Sequence, residues 1–182
     1  MRYILRTCAS REEYAGYIKE KIPSVEICFD DRGGAMQNFL KSLEMSGDDG
    51  VVNLEDDIIL TENFQKKAEE VISEKPKNVI QFFSMRKADL EIGSRWDAGA
   101  KYLMAQCTYF PKKISKGILS FSKKYSNIGH VSHPLDSMVA DYLKATKQRY
   151  WIHCPSLVDH RVGKSIIDPR RATTNRQSLT FQ

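Results

Sequence analysis

Apolar positions along the chain switch repeatedly between the alternation of a strand and the 3.6-residue spacing of a helix. Arg2–Thr7 reads as a first strand. Ser10-Arg11-Glu12-Glu13 has the form of a capping box, and Tyr14, Tyr17, Ile18 and Ile22 then share one helical face until Pro23 ends it. Residues 25–29 predict a second strand, closing on the polar turn Asp30-Asp31-Arg32-Gly33-Gly34. Met36, Phe39, Leu40 and Leu43 recur at i, i+3, i+4 and i+7, which predicts a helix stopping before Gly47. A third strand begins at Val51, carries the acidic triplet Glu55-Asp56-Asp57, and resumes as Ile58-Ile59-Leu60. Phe64, Ala68, Val71 and Ile72 mark a third helix, stopped by Lys75-Pro76, and residues 78–84 form the next strand.

Residues 85–101 break this rhythm. They hold Arg86, Lys87, Asp89, Glu91, Arg95, Trp96 and Asp97 without periodicity, and so predict a long loop of the kind that is functional or disordered in a compact domain. Residues 102–110 resume as a strand. Pro111 suits the first position of a helix with Ile114, Ile118 and Phe121 on one face. His133-Pro134-Leu135-Asp136 opens a further helix whose Leu135, Met138, Val139 and Tyr142 face inward. Residues 150–153 are a short strand, followed by Pro155-Ser156-Leu157-Val158-Asp159-His160. Strands separated by single helices imply an α/β fold: a three-layer, mainly parallel sheet with helices on both faces. Ligands of such sheets bind beyond the carboxyl ends of the strands. Thr7, Asp30 and the triplet all fall at those ends.

Composition narrows the class. With 182 residues, 41% of them hydrophobic and 28% charged, the chain fits one globular domain, residues 1–165, followed by a basic C-terminal tail, 166–182. The net charge of +5 is concentrated late, where Arg161, Lys164, Arg170, Arg171 and Arg176 face the single acid Asp168. Such a tail suits a polyanion or a phosphate-bearing ligand, and equally a merely solvated end. No apolar run approaches the roughly 20 residues of a bilayer span, and the short apolar start is unlike a signal peptide. The expected compartment is therefore the cytoplasm, that of the host if the chain is phage-encoded. Cys8, Cys28, Cys107 and Cys154 lie far apart with no C-x-x-C spacing, which favours free thiols over a disulfide framework.

The triplet is the chemical anomaly. Three adjacent carboxylates inside an apolar, strand-forming run repel one another, and burying even one unpaired is costly. Either the chain turns there into solvent, or a positive group sits among them. Hard oxygens clustered at a strand end are what Mg2+ or Mn2+ prefer.

Taken in order, the Arg2–Thr7 strand, Leu54-Glu55-Asp56-Asp57, and Pro155-Ser156-Leu157-Val158-Asp159-His160 followed by Gly163 and Ser165 resemble the A-type nucleotide-sugar glycosyltransferases. The likeness is to small bacterial or phage-type members with E-D-D where others have D-x-D, and it covers about residues 2 to 165. It implies a Rossmann-like domain that moves a sugar from a nucleoside diphosphate sugar, most simply a UDP-type donor, to an acceptor hydroxyl. Asp57 would ligate the metal, with His160 as second ligand from the far end of the chain and Glu55 as a third, supporting acid. Imidazole suits Mn2+ better than Mg2+. Asp56 would lie near the ribose or act through water. Arg6 and Thr7 would approach the base or ribose, Asp30 the base, and Arg32 and Asn38 the diphosphate or donor sugar. Asp136, at a helix start, would be the catalytic base, with Asp97 in reserve.

Other classes remain in view. A metal-dependent phosphohydrolase or nuclease also clusters carboxylates, but two-metal sites recruit several separated acids and histidines. A zinc site from His130, His133, His153, Cys154 and His160 lacks the C-x-x-C or H-E-x-x-H spacing. A non-enzymatic nucleic-acid-binding module would use the basic tail and leave the triplet unexplained. The acceptor is expected to be a glycan or a nucleic acid, including a hydroxymethylated base in phage DNA. In the second case the tail would hold phosphates and Trp96 would stack on a flipped base.

Overall fold

Alternation within the strands decides the layering. The computed structural model describes residues 1–31, 34–125, 134–163 and 176–182. Its strands are β1 (Arg2–Thr7), β2 (Glu26–Phe29), β3 (Val51–Glu55), β4 (Ile58–Leu60), β5 (Val79–Gln81), β6 (Arg95–Ala98), β7 (Cys107–Phe110), β8 (Arg149–Ile152) and β9 (Val158–His160). The helices are α1 (Glu12–Lys21), α2 (Gly34–Met45), α3 (Phe64–Glu74), α4 (Ala88–Ile92), α5 (Lys112–Ser122) and α6 (Pro134–Ala145). Tyr3, Leu5, Val52, Leu54, Ile80, Cys107 and Tyr109 enter one core with Ile18 of α1 and Phe64, Ala68 and Ile72 of α3. Their strand neighbours Ile4, Val51, Val79, Phe110, Tyr150 and Ile152 enter the other, with Met36 and Phe39 of α2, Ile118 of α5 and Met138 of α6. Each large side chain fully enclosed here contributes about 1.5–3 kcal/mol of transfer free energy. A sheet apolar on both faces can only be the middle of three layers.

The main sheet has the order β2-β1-β3-β7-β5-β8-β6. β2, β1, β3, β5 and β8 run one way, and β7 and β6 run against them. The expected three-layer, mainly parallel sheet is therefore present. The chain leaves β1 through α1 on one face to reach β2, then returns through α2 on the opposite face to β3, on the other side of β1. That reversal opens a crevice at the carboxyl ends of β1 and β3, the usual place for a ligand in an open α/β sheet. β4 and β9 stand outside the main sheet as a two-stranded antiparallel ribbon.

Four local expectations are corrected. Residues 85–101 are not a structureless loop but α4, the edge strand β6 and a 3-10 turn at Gly99–Lys101. Elements of three to five residues are too short to show periodicity, and β6 has no fully buried residue to betray it. The strand expected over 102–110 is confined to Cys107–Phe110 and runs antiparallel to β3. Residues before it are held irregularly, with Met104 at φ 74°. The Ser10 capping box does not form. A 3-10 turn spans Ala9–Arg11, no side chain caps α1, and the Ser10 hydroxyl lies 3.4 Å from Cys8 Sγ. Finally, residues 177–182 are not a free tail. Ser178 N donates to Asp159 Oδ1 at 2.7 Å, and Thr61 Oγ1 donates to the Gln182 carbonyl at 2.9 Å.

Candidate metal and nucleotide site

Backbone bonds, not side chains, bring the two ends of the acidic motif together. β4 pairs with β9 so that Ile58 faces His160, and Arg161 N donates to the Asp57 carbonyl at 2.8 Å. His160 Nε2 consequently lies 3.3 Å from Asp57 Oδ2. His160 is buried and Asp57 half-buried. Burial alone would push the Asp57 carboxyl up, but His160, by hydrogen bond and by charge, and then Arg11 and Arg176 together hold it below the ordinary range. Burial likewise works against a charged His160, yet Asp57 raises it overall.

The pair suits a divalent cation on two counts. Asp57 Oδ1 is enclosed without a hydrogen-bond partner, and His160 Nε2 has no well-aligned one. His160 Nδ1 sits 2.6 Å from the Arg161 carbonyl. With Nδ1 donating there, Nε2 would be left to ligate a cation once that cation replaced the proton it shares with Asp57, which is how carbonyls orient metal-ligating imidazoles. Among the described residues no group of three His, Cys, Asp or Glu side chains could hold a metal. A cation here would have two protein ligands and need the rest from phosphate or water, the habit of Mg2+ and its relatives.

The triplet divides into three environments. Glu55, last residue of β3, is in register with Arg6 across the β1–β3 ladder, and Arg6 Nη2 pairs with its Oε1 at 3.0 Å. Arg6 also donates to the Ala105 carbonyl at 3.2 Å and lies over the Phe39 ring. Glu55 is thus directed to Arg6 and not to the Asp57–His160 pair. Asp56 lies beside Thr7, and burial raises its carboxyl to about 6, helped by the negative charges of Asp57 and Glu55 and opposed by Thr7 and Arg11. Arg11 Nη1 lies 3.4 Å from Asp57 Oδ2 and 3.6 Å from Asp56 Oδ1, with its guanidinium over the Tyr14 ring.

Asp136, in the first turn of α6, faces the same cleft. Burial lifts its carboxyl to about 6 and the Glu55 charge adds to the rise, while the Met104 and Ala105 amides and Arg6 oppose it. Its Oδ1 accepts from Ala105 N at 3.2 Å.

Thr7, Asp30 and Asn38, expected from sequence beside the nucleotide, line the same cleft. Asp30 Oδ1 accepts from Gly34 N at 3.1 Å, and Gly34 starts α2 at φ 78°, a conformation glycine adopts without strain. Asn38 is engaged on both ends, receiving the Cys28 thiol at 2.9 Å and donating to the Thr7 carbonyl at 3.4 Å. Arg32 and Gly33 lie outside the described residues, as do His130, His133, Lys164, Arg170 and Arg171.

The cleft therefore gathers Arg6, Thr7, Asp30, Asn38, Glu55, Asp56, Asp57 and Asp136, with His160 behind Asp57. Asp97 is placed elsewhere. It sits in β6 at the far edge of the sheet, paired with Lys101 at 3.6 Å, and Trp96 beside it packs edge-on against Trp151 at 5.2 Å. Neither lines the cleft. His153 packs edge-on against Phe82 at 6.1 Å, so the zinc constellation gains nothing among the described residues. Two charged cleft residues were not singled out from sequence as site residues: Arg11, masked by its place in an apparent capping box, and Arg176, one basic residue among several in the tail.

No protein-family model matches the chain, and no curated protein matches it. Solved structures do. The chain is similar to A197 from STIV, at 14% identity over 90% of this chain and 87% of that one, with a TM-score of 0.51. It is also similar to a putative glucose-1-phosphate thymidylyltransferase from Bacillus anthracis, solved in complex with a sucrose. There the identity is 12% over 88% of this chain and 89% of that one, with a TM-score of 0.54. At such identities the likeness establishes the fold, a Rossmann-like α/β architecture that a nucleotide-sugar enzyme also uses.

Proposed function

We propose that the chain is a metal-dependent glycosyltransferase that moves a sugar from a nucleoside diphosphate sugar to an acceptor hydroxyl. The observation that carries this reading is the Asp57–His160 pair, with an enclosed, unpartnered carboxylate oxygen, at the carboxyl ends of β1 and β3. A divalent cation, Mn2+ or Mg2+, held by Asp57 and His160 would stabilise as a Lewis acid the charge that builds on a departing diphosphate. Thr7, Asp30 and Asn38 would border the nucleoside, and Arg11, facing both Asp56 and Asp57, offsets part of their mutual repulsion. In a direct displacement the acceptor oxygen bonds to the anomeric carbon, and the bond from that carbon to the diphosphate breaks with its electron pair leaving on phosphate oxygen. The acceptor proton passes to Asp136. A carboxyl tuned to about 6 is ionised at neutral pH yet basic enough for that task.

The acceptor is a glycan or a hydroxymethylated base in DNA. With Trp96 on the sheet edge, base stacking on it no longer supports the DNA case.

The test incubates the protein with Mn2+ and a panel of UDP-, GDP- and dTDP-sugars and measures donor hydrolysis. Turnover of one donor, abolished by chelation and by Asp57→Ala, is the expected result. Silence across the panel, or turnover indifferent to Asp57→Ala, rejects the reading. Nucleotidyl transfer to a sugar phosphate is a second reading, supported by the thymidylyltransferase likeness. Against it, the loop after β1, Cys8-Ala9-Ser10-Arg11, has no glycine to let backbone amides close around a triphosphate. Pyrophosphate release from a nucleoside triphosphate and glucose 1-phosphate separates the two.

A further inference from the structure

Two guanidinium groups reach the cleft around Asp57, and their surroundings differ. Arg11 is committed to Asp56, Asp57 and the Tyr14 face. Arg176 comes from the far end of the chain and lines the same cleft, and its Nη1 is enclosed without a hydrogen-bond partner. It shares that lining with Asp57, so it stands on the same side of the cleft as the candidate metal ligand. Leaving a charged donor enclosed and unsatisfied destabilises the empty cleft. An anion entering the cleft removes that cost.

The placement is built. Ser178 N donates to Asp159 Oδ1 at 2.7 Å, Ser178 Oγ to Ser156 Oγ at 2.8 Å, and Ser156 N to Thr180 Oγ1 at 3.1 Å. Ser156 and Asp159 belong to the short segment that ends in His160. The same five residues, 156–160, therefore hold the candidate metal ligand and anchor the strand of chain that presents Arg176.

We infer that Arg176 binds the diphosphate of the donor, its planar fork pairing with non-bridging phosphate oxygens beside the Asp57–His160 pair. This rests on the nucleotide-sugar reading and gives the C-terminal residues a part in donor binding in place of polyanion capture. A monophosphate, lacking the second phosphoryl group, gains little from the contact.

The experiment measures calorimetric affinities for UDP and UMP, GDP and GMP, and dTDP and dTMP with Mn2+, in wild type, Arg176→Met and Arg176→Lys. For the base that binds, Arg176→Met is expected to weaken the diphosphate about 10- to 100-fold and the monophosphate by less than about threefold. Arg176→Lys falls between, and the Tm of either variant is unchanged or raised. Should Arg176→Met melt early, Arg176→Lys, which keeps the charge and loses the fork, makes the same comparison. Equal diphosphate affinity in wild type and variants, or equal losses for mono- and diphosphate, overturns the inference while leaving the donor reading intact. Absence of any nucleotide binding by wild type overturns both.

Discussion

Replacing Asp136 by Asn is expected to make the protein more stable while stopping transfer. Burial, with the Glu55 charge added, lifts the Asp136 carboxyl from the ordinary 3.8 to about 6. At 1.36 kcal/mol per pH unit that rise corresponds to about 3 kcal/mol by which the charged form burdens the folded state at neutral pH. Asn keeps an oxygen to accept the Ala105 N–H and removes the charge. Its amide donors must be desolvated in turn, so the net gain is about 1–3 kcal/mol, or a Tm higher by roughly 2–12 °C for a chain of this size. The sign follows from linkage. A carboxyl whose folded pKa is raised binds more protons folded than unfolded between about 4 and 6, so stability falls as pH rises through that window. The advantage of the variant should therefore be full above about pH 6 and vanish near pH 4. Urea unfolding at pH 7.5 and 4.5, followed by the fluorescence of Trp96 and Trp151, measures it without metal or nucleotide present. A variant less stable than wild type at pH 7.5, or a difference that does not shrink at pH 4.5, refutes burial as the cause.

The same carboxyl sets an acid limb: log kcat/KM for donor turnover should fall below about pH 6, where Asp136 is protonated, and a rate flat down to pH 5 removes it as the base. Asp97→Asn and Trp96→Ala, both on the edge strand β6, should leave donor turnover within about twofold of wild type; a large loss would move the acceptor site to that edge. Arg6→Met strands Glu55 beside Asp136, and breaking a largely buried pair of this kind costs about 3–5 kcal/mol. Glu55→Gln in the same chain should recover part of the loss in urea unfolding, and strict additivity of the two changes would show that the ion pair is not coupled.

How much of this was legible beforehand depends on the physical origin of each feature. The layers were, because consecutive apolar side chains such as Ile4 and Leu5, or Val51 and Val52, point to opposite faces of a strand and so mean a sheet buried on both faces. The direction of β7 was not: nothing in Cys107–Phe110 itself distinguishes a strand running against β3 from one running with it. Arg11 was misassigned because Ser10-Arg11-Glu12-Glu13 satisfies a local capping pattern, while the attraction of Asp56 and Asp57 for its guanidinium is non-local. Residues 177–182 read as tail because they dock through Ser178 and Thr180 hydroxyls and the Asp159 carboxylate, which leave no hydrophobic signature.

The acidic triplet shows the same limit at finer grain. Its clustering is visible in one dimension, but its division depends on register and on a ribbon outside the main sheet. Glu55 is claimed by Arg6 because the β1–β3 ladder sets them side by side. Asp57 is claimed by His160 because β4 and β9 pair. Asp56, left between them, has its carboxyl pushed up to about 6, while that of Asp57 is held below the ordinary range. Adjacent carboxylates in a solvated turn would share one environment and titrate together. Environments that drive neighbouring acids in opposite directions are how a site separates an ionised ligand from groups that exchange protons near neutrality. That separation, more than the number of acids, distinguishes Glu55-Asp56-Asp57 from a polar turn.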